Sequence, residues 1–370
     1  MTGIEDLLAR LGGVQDKKAR EWLILQFSLS ELSPTLQKAV KVSAIPHWFH
    51  GGYLASALGC PLTNANHIIE QLLALSFIGE FPGRGYCLHD RTRALLLDYL
   101  WEEDPTEFVA ISNSAAGYCM SQSLNDAGWR IEWIYHLILA QPTTGIYQMR
   151  VTGSEWQAGH SYDHLETLVR RLQEHASAGR LVRLAKQWTR FWEAAVDFSY
   201  ARFAIAQQKY AEIAADSETD LRLAIDVARQ LGATELMVAR HKAARRHFEK
   251  ALTLSRQSGE VREVALSLLE LANLDHSRAQ YGRAGKGYDE ARQLFHDMGD
   301  LRGEASSLHG LADVNVSVSQ FKDAQRNYED GATAYGAIED YMQQAECLGC
   351  LGDVSRLLDE YQRYKQVCLQ

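Results

Sequence analysis

The stretch Leu268–Ala291, LLELANLDHSRAQYGRAGKGYDEA, decides the fold, because its apolar and small residues return forty positions later in Leu308–Gly331, LHGLADVNVSVSQFKDAQRNYEDG. Leu268, Leu271, Ala272, Ala284, Tyr288 and Ala291 align with Leu308, Leu311, Ala312, Ala324, Tyr328 and Gly331. Leu231, Gly232, Ala244, Phe248 and Ala251 stand one period upstream, and Leu348, Leu351 and Gly352 open another period downstream. A period of this length marks a solenoid of two-helix units, each of which buries its apolar face only by stacking on its neighbours. Arrays of this kind are built for binding rather than chemistry.

The 370 residues leave room for two or three domains, and a 46% hydrophobic content is enough for real cores. No apolar run reaches the roughly 18 to 20 residues that cross a bilayer. Met1 to Arg10 lacks the basic-then-apolar order of a secretory signal, so a cytoplasmic location without membrane contact is expected. A net charge of −9 argues against a dedicated nucleic-acid binder. The six cysteines are scattered, and only Cys347 and Cys350 form a C-x-x-C pair. With no further ligands at zinc spacing nearby, that pair reads as two compact hydrophobes on a small-residue repeat helix. No metal and no cofactor is expected.

Upstream of the repeats the pattern changes. Residues 4–28 read as helical with a break at Gly12-Gly13. A compact module follows: a helix Pro34 to Ser43 started by Ser30 or Ser33, a turn at Pro46, a helix Gly52 to Leu58, and a third from Thr63 to Leu75 capped by Thr63. Phe77 to Phe81 and Tyr86 to Leu88 flank Pro82-Gly83-Arg84-Gly85 and read as a β-hairpin. Six tryptophans, Trp101, Trp129, Trp133, Trp156, Trp188 and Trp192, point to a packed helical connector, with Trp156 placed in the loop-like segment 151–160.

Three helices and a hairpin follow the order of a winged-helix domain. The stretch Phe27 to Pro34, Leu54 to Leu58, Ile69 to Ile78 and Tyr86-Cys87-Leu88-His89-Asp90 resembles the winged-helix arm of STAND-type signalling NTPases. In that family a hydrophobic-His-Asp motif lets the histidine sense bound ADP, and Leu88-His89-Asp90 matches it. Glu132-Trp133-Ile134-Tyr135-His136-Leu137 resembles the family's helical connector, and Gly299 to Ala305 resembles the inter-repeat turn of bacterial tetratricopeptide arrays. The resemblance implies the carboxy-terminal half of such a protein. No G-x-x-x-x-G-K-[ST] loop accompanies it, so nothing in the chain supplies the cradle and lysine that hold nucleotide phosphates.

The expected architecture is therefore all-α: a helical segment (1–28), a winged-helix-like domain with a β-hairpin (29–103), a helical connector (104–221) and a tetratricopeptide-type solenoid (222–370). No catalytic motif is present: there is no G-x-S-x-G elbow, no H-E-x-x-H helix, and no cysteine with a motif-defined histidine. The first helix of each repeat should line a groove through Asp226, Arg229, Asn273, His276, His309, Asp313 and Asp353, polar positions with no packing duty. A protein or peptide partner in that groove, and an adaptor or sensor role, follow from this reading. A place in a prokaryotic defence or stress-signalling complex is what the family resemblance implies. Arg183, Lys186 and Arg190 share a helical face in a basic stretch with Arg170, Arg171 and Arg180, either a solvated face or a patch for an acidic protein or RNA. Two alternatives stay open, a winged-helix transcriptional regulator and the regulatory half of a nucleotide switch completed by another chain. The helix Thr63 to Leu72 carries no Lys or Arg, which removes most of the electrostatic term that DNA binding needs.

Overall fold

The computed structural model describes residues 3–216, 218 and 220–368, with side chains followed through Asp359. The chain divides into two compact units, Met1–Trp192 and Glu193–Gln370.

In the first unit, α1 (Gly3–Gly13) stops at the glycine pair, and Asp16 starts α2 (Lys17–Ser30) by accepting the Ala19 N–H at 2.7 Å. Ser33 caps α3 (Pro34–Ala44), with Pro34 at the first helical position where its missing N–H costs nothing. Then come α4 (Gly51–Leu58), α5 (Leu62–Leu72) and the antiparallel pair β1 (Ile78–Phe81) and β2 (Gly85–Leu88). The cap expected at Thr63 does not form. Pro61, with φ −59°, sets the helix start two residues earlier, and Thr63 lies inside the first turn. Phe49 exchanges two backbone hydrogen bonds with Tyr86, adding a bridge along the free edge of β2. Gly85, at φ +119°, makes this possible, since a Cβ there would lie 2.4 Å from the Phe49 carbonyl oxygen. Val40, Phe49, Leu54, Ala65, Leu72 and Leu88 form the core of this module.

Six helices complete the unit: α6 (Asp90–Glu103), α7 (Pro105–Met120), α8 (Ala127–Ala140), α9 (Pro142–Ala158), α10 (Tyr162–Ser177) and α11 (Arg183–Ser199), whose last turns extend beyond Trp192. The segment 151–160 is not a loop. It is helical through Ala158, and Trp156 is buried. Gly153, which looks like a breaker in the sequence, is a contact point instead: a Cβ there would sit 2.4 Å from the Trp192 ring.

The second unit continues with α12 (Phe203–Ala214), α13 (Leu221–Met237), α14 (His241–Ser258), α15 (Val261–Ser277), α16 (Tyr281–Met298), α17 (Leu301–Ser317), α18 (Phe321–Ala337) and α19 (Tyr341–Cys368). Each helix packs on the next, giving three helical hairpins of tetratricopeptide type and a long final helix. The turns keep the period as strictly as the helices do. Ala239, Ala279 and Ser319 take left-handed φ of 58°, 57° and 61° inside the hairpins, and Gly259, Gly299 and Glu339 take 72°, 70° and 57° between them. One ionic contact also repeats: Arg222 to Glu260, Arg262 to Asp300 at 2.9 Å, and Arg302 to Asp340. Each joins the start of one repeat to the residue that begins the next.

Candidate binding wall

The first helices α13, α15 and α17 pack against one another more closely than the second helices α14, α16 and α18 do, so they line the tighter wall of the array. Side chains cross between successive members of this row, from α13 to α15, α15 to α17 and α17 to α19. His276 Nε2 lies 3.4 Å from Ser317 Oγ, Arg229 Nη2 lies 3.5 Å from Glu270 Oε1, and His309 Nδ1 lies 3.4 Å from Cys347 Sγ.

The two faces of these helices behave differently along the period. Toward the second helices, positions 225, 265, 305 and 345 are Ile, Ala, Ala and Ala, and 228, 268, 308 and 348 are Ala, Leu, Leu and Leu. On the wall, positions 226, 266, 306 and 346 are Asp, Leu, Ser and Glu, and 229, 269, 309 and 349 are Arg, Leu, His and Gly. The packing face keeps to small or aliphatic side chains in every repeat, whereas the wall moves between charged, polar and apolar character.

Asn273 and Asp313 do have a packing duty, which corrects the expectation that wall residues are free of one. Tyr288 Oη donates to Asn273 Oδ1 at 2.8 Å, and Tyr328 Oη donates to Asp313. Both tyrosines are almost fully buried, and a buried hydroxyl needs a partner. One period upstream the tyrosine is Phe248 and the acceptor is Ala233, so donor and acceptor vanish together. His309 is held between Cys347, Asp313 (3.7 Å) and the edge of the Tyr328 ring, with 17% of its side chain exposed. Burial pushes the Cys347 thiol up to about 11, so it packs as a neutral group. Asp353 is exposed, its carboxylate 3.8 Å from Arg356.

Asp226 and Arg229 belong to a charge cluster the sequence did not reveal. Glu263, fully buried, faces Arg222 at 2.5 Å and Arg229 at 3.6 Å, while Asp226 contacts both arginines. Burial and then Asp226 raise the Glu263 pKa, with Arg229 and Arg222 opposing them. The sequence hint was a glutamate at 263, where the period gives Gly303 and Leu223.

The basic stretch of the first unit is split. Arg183 and Lys186 are exposed and Arg190 half-buried on one face of α11, opposite buried Trp188 and Trp192. Arg180 is instead buried over the Phe108 ring and paired with Asp98 at 2.5 Å. Its neighbourhood is a polar network inside the unit. His47 Nδ1 lies 2.6 Å from Glu132 and its Nε2 lies 3.0 Å from Glu174, while Arg93 donates to Glu174 (2.8 Å), to the Tyr135 hydroxyl (3.1 Å) and to the Ile45 and Pro46 carbonyls. Burial pushes Glu132 up, but His47 and His136 outweigh it and hold the carboxyl well below its usual range. Burial likewise lowers His136 and His175. The available signal was Glu132 and His136, one turn apart in the otherwise apolar Ile131 to Leu139.

The hairpin is pinned in the same way. Arg84 at its tip donates to both oxygens of Asp126, at 2.6 and 2.8 Å, and stands over the Trp48 and Trp129 rings. His89 begins α6 through its backbone, its N–H donating to the Phe77 carbonyl at 2.8 Å, without a side-chain cap. Among the described residues no cluster of His, Cys, Asp or Glu has the arrangement of a metal site, and no helix is long and apolar enough to cross a membrane.

No family model and no curated protein matches the chain. Among solved structures it is similar to a signal-transduction ATPase with numerous domains and a tetratricopeptide repeat sensor from Pyrococcus horikoshii, with TM-score 0.47 and 14% identity over 95% of this chain. The chain spans 59% of that protein's length. It is also similar to a Rap protein complexed with competence and sporulation factor (TM-score 0.49, 15% identity, 89% of this chain and 88% of that one). Aspartyl phosphate phosphatase F from Bacillus subtilis gives 0.48 at 12% identity, over 91% of this chain and 86% of that one. None of these likenesses carries a functional argument, and the functional reading rests on the chain's own residues.

Proposed function

We propose that this chain is a non-catalytic adaptor or sensor that holds a protein or peptide segment along the wall of its first helices. The observation that carries the reading is the contrast between a packing face that stays small or aliphatic and a wall that changes between charged, polar and apolar residues from repeat to repeat. A wall needed only for solubility has no reason to carry Asp226 and Arg229 in one repeat, Asn273 and His276 in the next, and His309 and Asp313 in the third. A groove of convergent polar side chains suits an extended or helical segment. In this reading residues 29–103 form a winged-helix module and 104–221 a connector, and both act as frame.

A DNA-reading role has less support. α5 carries no Lys or Arg, and Arg84 is committed to Asp126, so the charge that dominates DNA affinity is missing from both elements. Replacing His276 and Ser317 together with alanine tests the groove, because both are surface groups that hold no buried partner. Calorimetry against the partner that co-purifies with the native chain should show affinity weakened by about 1 kcal/mol or more, with helix content unchanged. Undiminished affinity would take the site off this wall.

A further inference from the structure

The last helix breaks the pattern in a way that leaves a seat open. In the second and third repeats, the face of the first helix built from a small residue, a leucine and a second small residue is covered by its own second helix. Ala265 and Leu268 pack on Ala291 and Phe295 of α16, Ala272 packs on Ala284 and Tyr288, and Ala305 packs on Ala332 and Tyr335 of α18. The corresponding residues of α19 are Ala345, Leu348 and Gly352, and all three are exposed, Leu348 by 50%. Tyr341 and Met342 extend the apolar surface at 67% and 56% exposure. The opposite face of α19 is occupied, with Cys347 and Val354 buried against the preceding repeat. Among the described residues no second helix folds back on this face, because α19 runs on as one helix through the position where Ala239, Ala279 and Ser319 turn the chain.

We propose that this face is completed by an amphipathic α-helix of a partner protein, seated as α16 and α18 are seated on their own first helices. The repeats specify the chemistry of that helix. Its buried face should read small-x3-aromatic-x2-small-x3-aromatic, as in Ala284, Tyr288, Ala291 and Phe295, or Ala324, Tyr328, Gly331 and Tyr335. Its first aromatic should be tyrosine, because Asp353 stands one period after Asn273 and Asp313, the two acceptors of buried tyrosine hydroxyls. Its flanks should be basic, because the exposed charges beside the seat include Glu346 and Asp353 with Arg356 as the nearby cation. The seat adjoins the wall at Glu346 and Asp353, but its apolar centre at Ala345, Leu348 and Gly352 lies outside that wall, and the proposal does not rest on the wall's being a binding site.

The probe is the α16 sequence itself, a capped peptide of residues 281–298 held helical by a lactam between Asp289 and Gln293→Lys, both on its exterior face. Titrated into the full chain, it should bind one to one and slow amide exchange within 341–356. Leu348→Asp changes a half-exposed side chain, so the fold is kept, and it should lower affinity at least about tenfold. Asp353→Ala in the chain and Tyr288→Phe in the peptide should each weaken binding about tenfold, and the pair no more than either alone. The proposal is overturned if the peptide at about 1 mM gives no protection of 341–356, or if Leu348→Asp binds as well as the parent chain. It is also overturned if sedimentation shows a dimer that Leu348→Asp dissolves, since the occupant is then a second copy. Binding that survives Leu348→Asp and is lost in the His276→Ala, Ser317→Ala pair places the peptide in the groove, and fails this proposal without failing the other.

Discussion

The two units solve the same problem, an all-helical core, by opposite means. The second repeats one local solution: an alanine at each crossing, an aromatic one turn away, a left-handed turn residue and an ionic contact to the next repeat, every forty residues. Each of its contacts joins neighbours, so its stability should be close to a sum over repeats. The first unit has no period and is joined by contacts between residues far apart in the chain. His47 and Glu132 are 85 positions apart, and Arg93 and Glu174 are 81 apart. A unit of the first kind is read from sequence by alignment with itself, and one of the second kind is not.

That difference has a direct consequence for mutation. Arg93→Ala removes the donor that satisfies Glu174, Tyr135 and two backbone carbonyls, and breaking a buried ion pair from one side costs about 3 to 5 kcal/mol. All eight tryptophans lie at or before Trp192, so tryptophan fluorescence reports the first unit. The fluorescence transition in urea should move to much lower concentration. If it does not move, the network is incidental and the contrast between the units fails.

Acid should separate the units next. Glu132 and Glu174 have folded pKa values lowered beneath their ordinary ones, so the stability they give is present above that ordinary value and is lost as pH falls toward the folded one. His136 and His175 are lowered too, so below about pH 6.5 the unfolded chain takes up protons that the folded unit refuses. Each such proton costs about 1.4 kcal/mol per pH unit. In the second unit burial lowers His247 as well, against His50, His136 and His175 in the first, while Glu263 is raised and contributes with the opposite sign, growing as pH falls. Fluorescence melts from pH 7 to 5 should fall in temperature more steeply than the loss of helical circular dichroism belonging to the second unit. Parallel falls would contradict the assignment.

Within the repeats the expected effects are smaller. Ala324 is fully buried at a helix crossing, and Ala324→Leu should overpack it at a cost of about 1 to 3 kcal/mol, seen as an earlier melt without change in fluorescence. Glu339 occupies the left-handed position held by Gly259 and Gly299, and Glu339→Gly should stabilise the array by about 1 kcal/mol by removing the Cβ clash. An unchanged or lowered melting temperature would show that the last inter-repeat turn differs from the others.

What the sequence revealed follows the same line. The repeat register, the hairpin and the packing role of Cys347 were legible because each is a local pattern. The start of α5 was misplaced because two helix signals, Pro61 and Thr63, stand two residues apart and only geometry chooses between them. The helical run through 151–158 was hidden because Gly153 serves a close approach to a ring 39 positions away. The duties of Asn273 and Asp313 were legible in principle, from the joint absence of donor and acceptor at Phe248 and Ala233.

Amide exchange of the full chain with and without its co-purified partner tests the central claim that the variable wall is the binding surface. The account predicts slowed exchange in α13, α15 and α17, strongest where Asp226, Arg229, Asn273, His276, His309 and Asp313 stand, with α14, α16 and α18 unchanged on their exterior faces. Protection confined to the first unit, or to the second helices of the repeats, would contradict it.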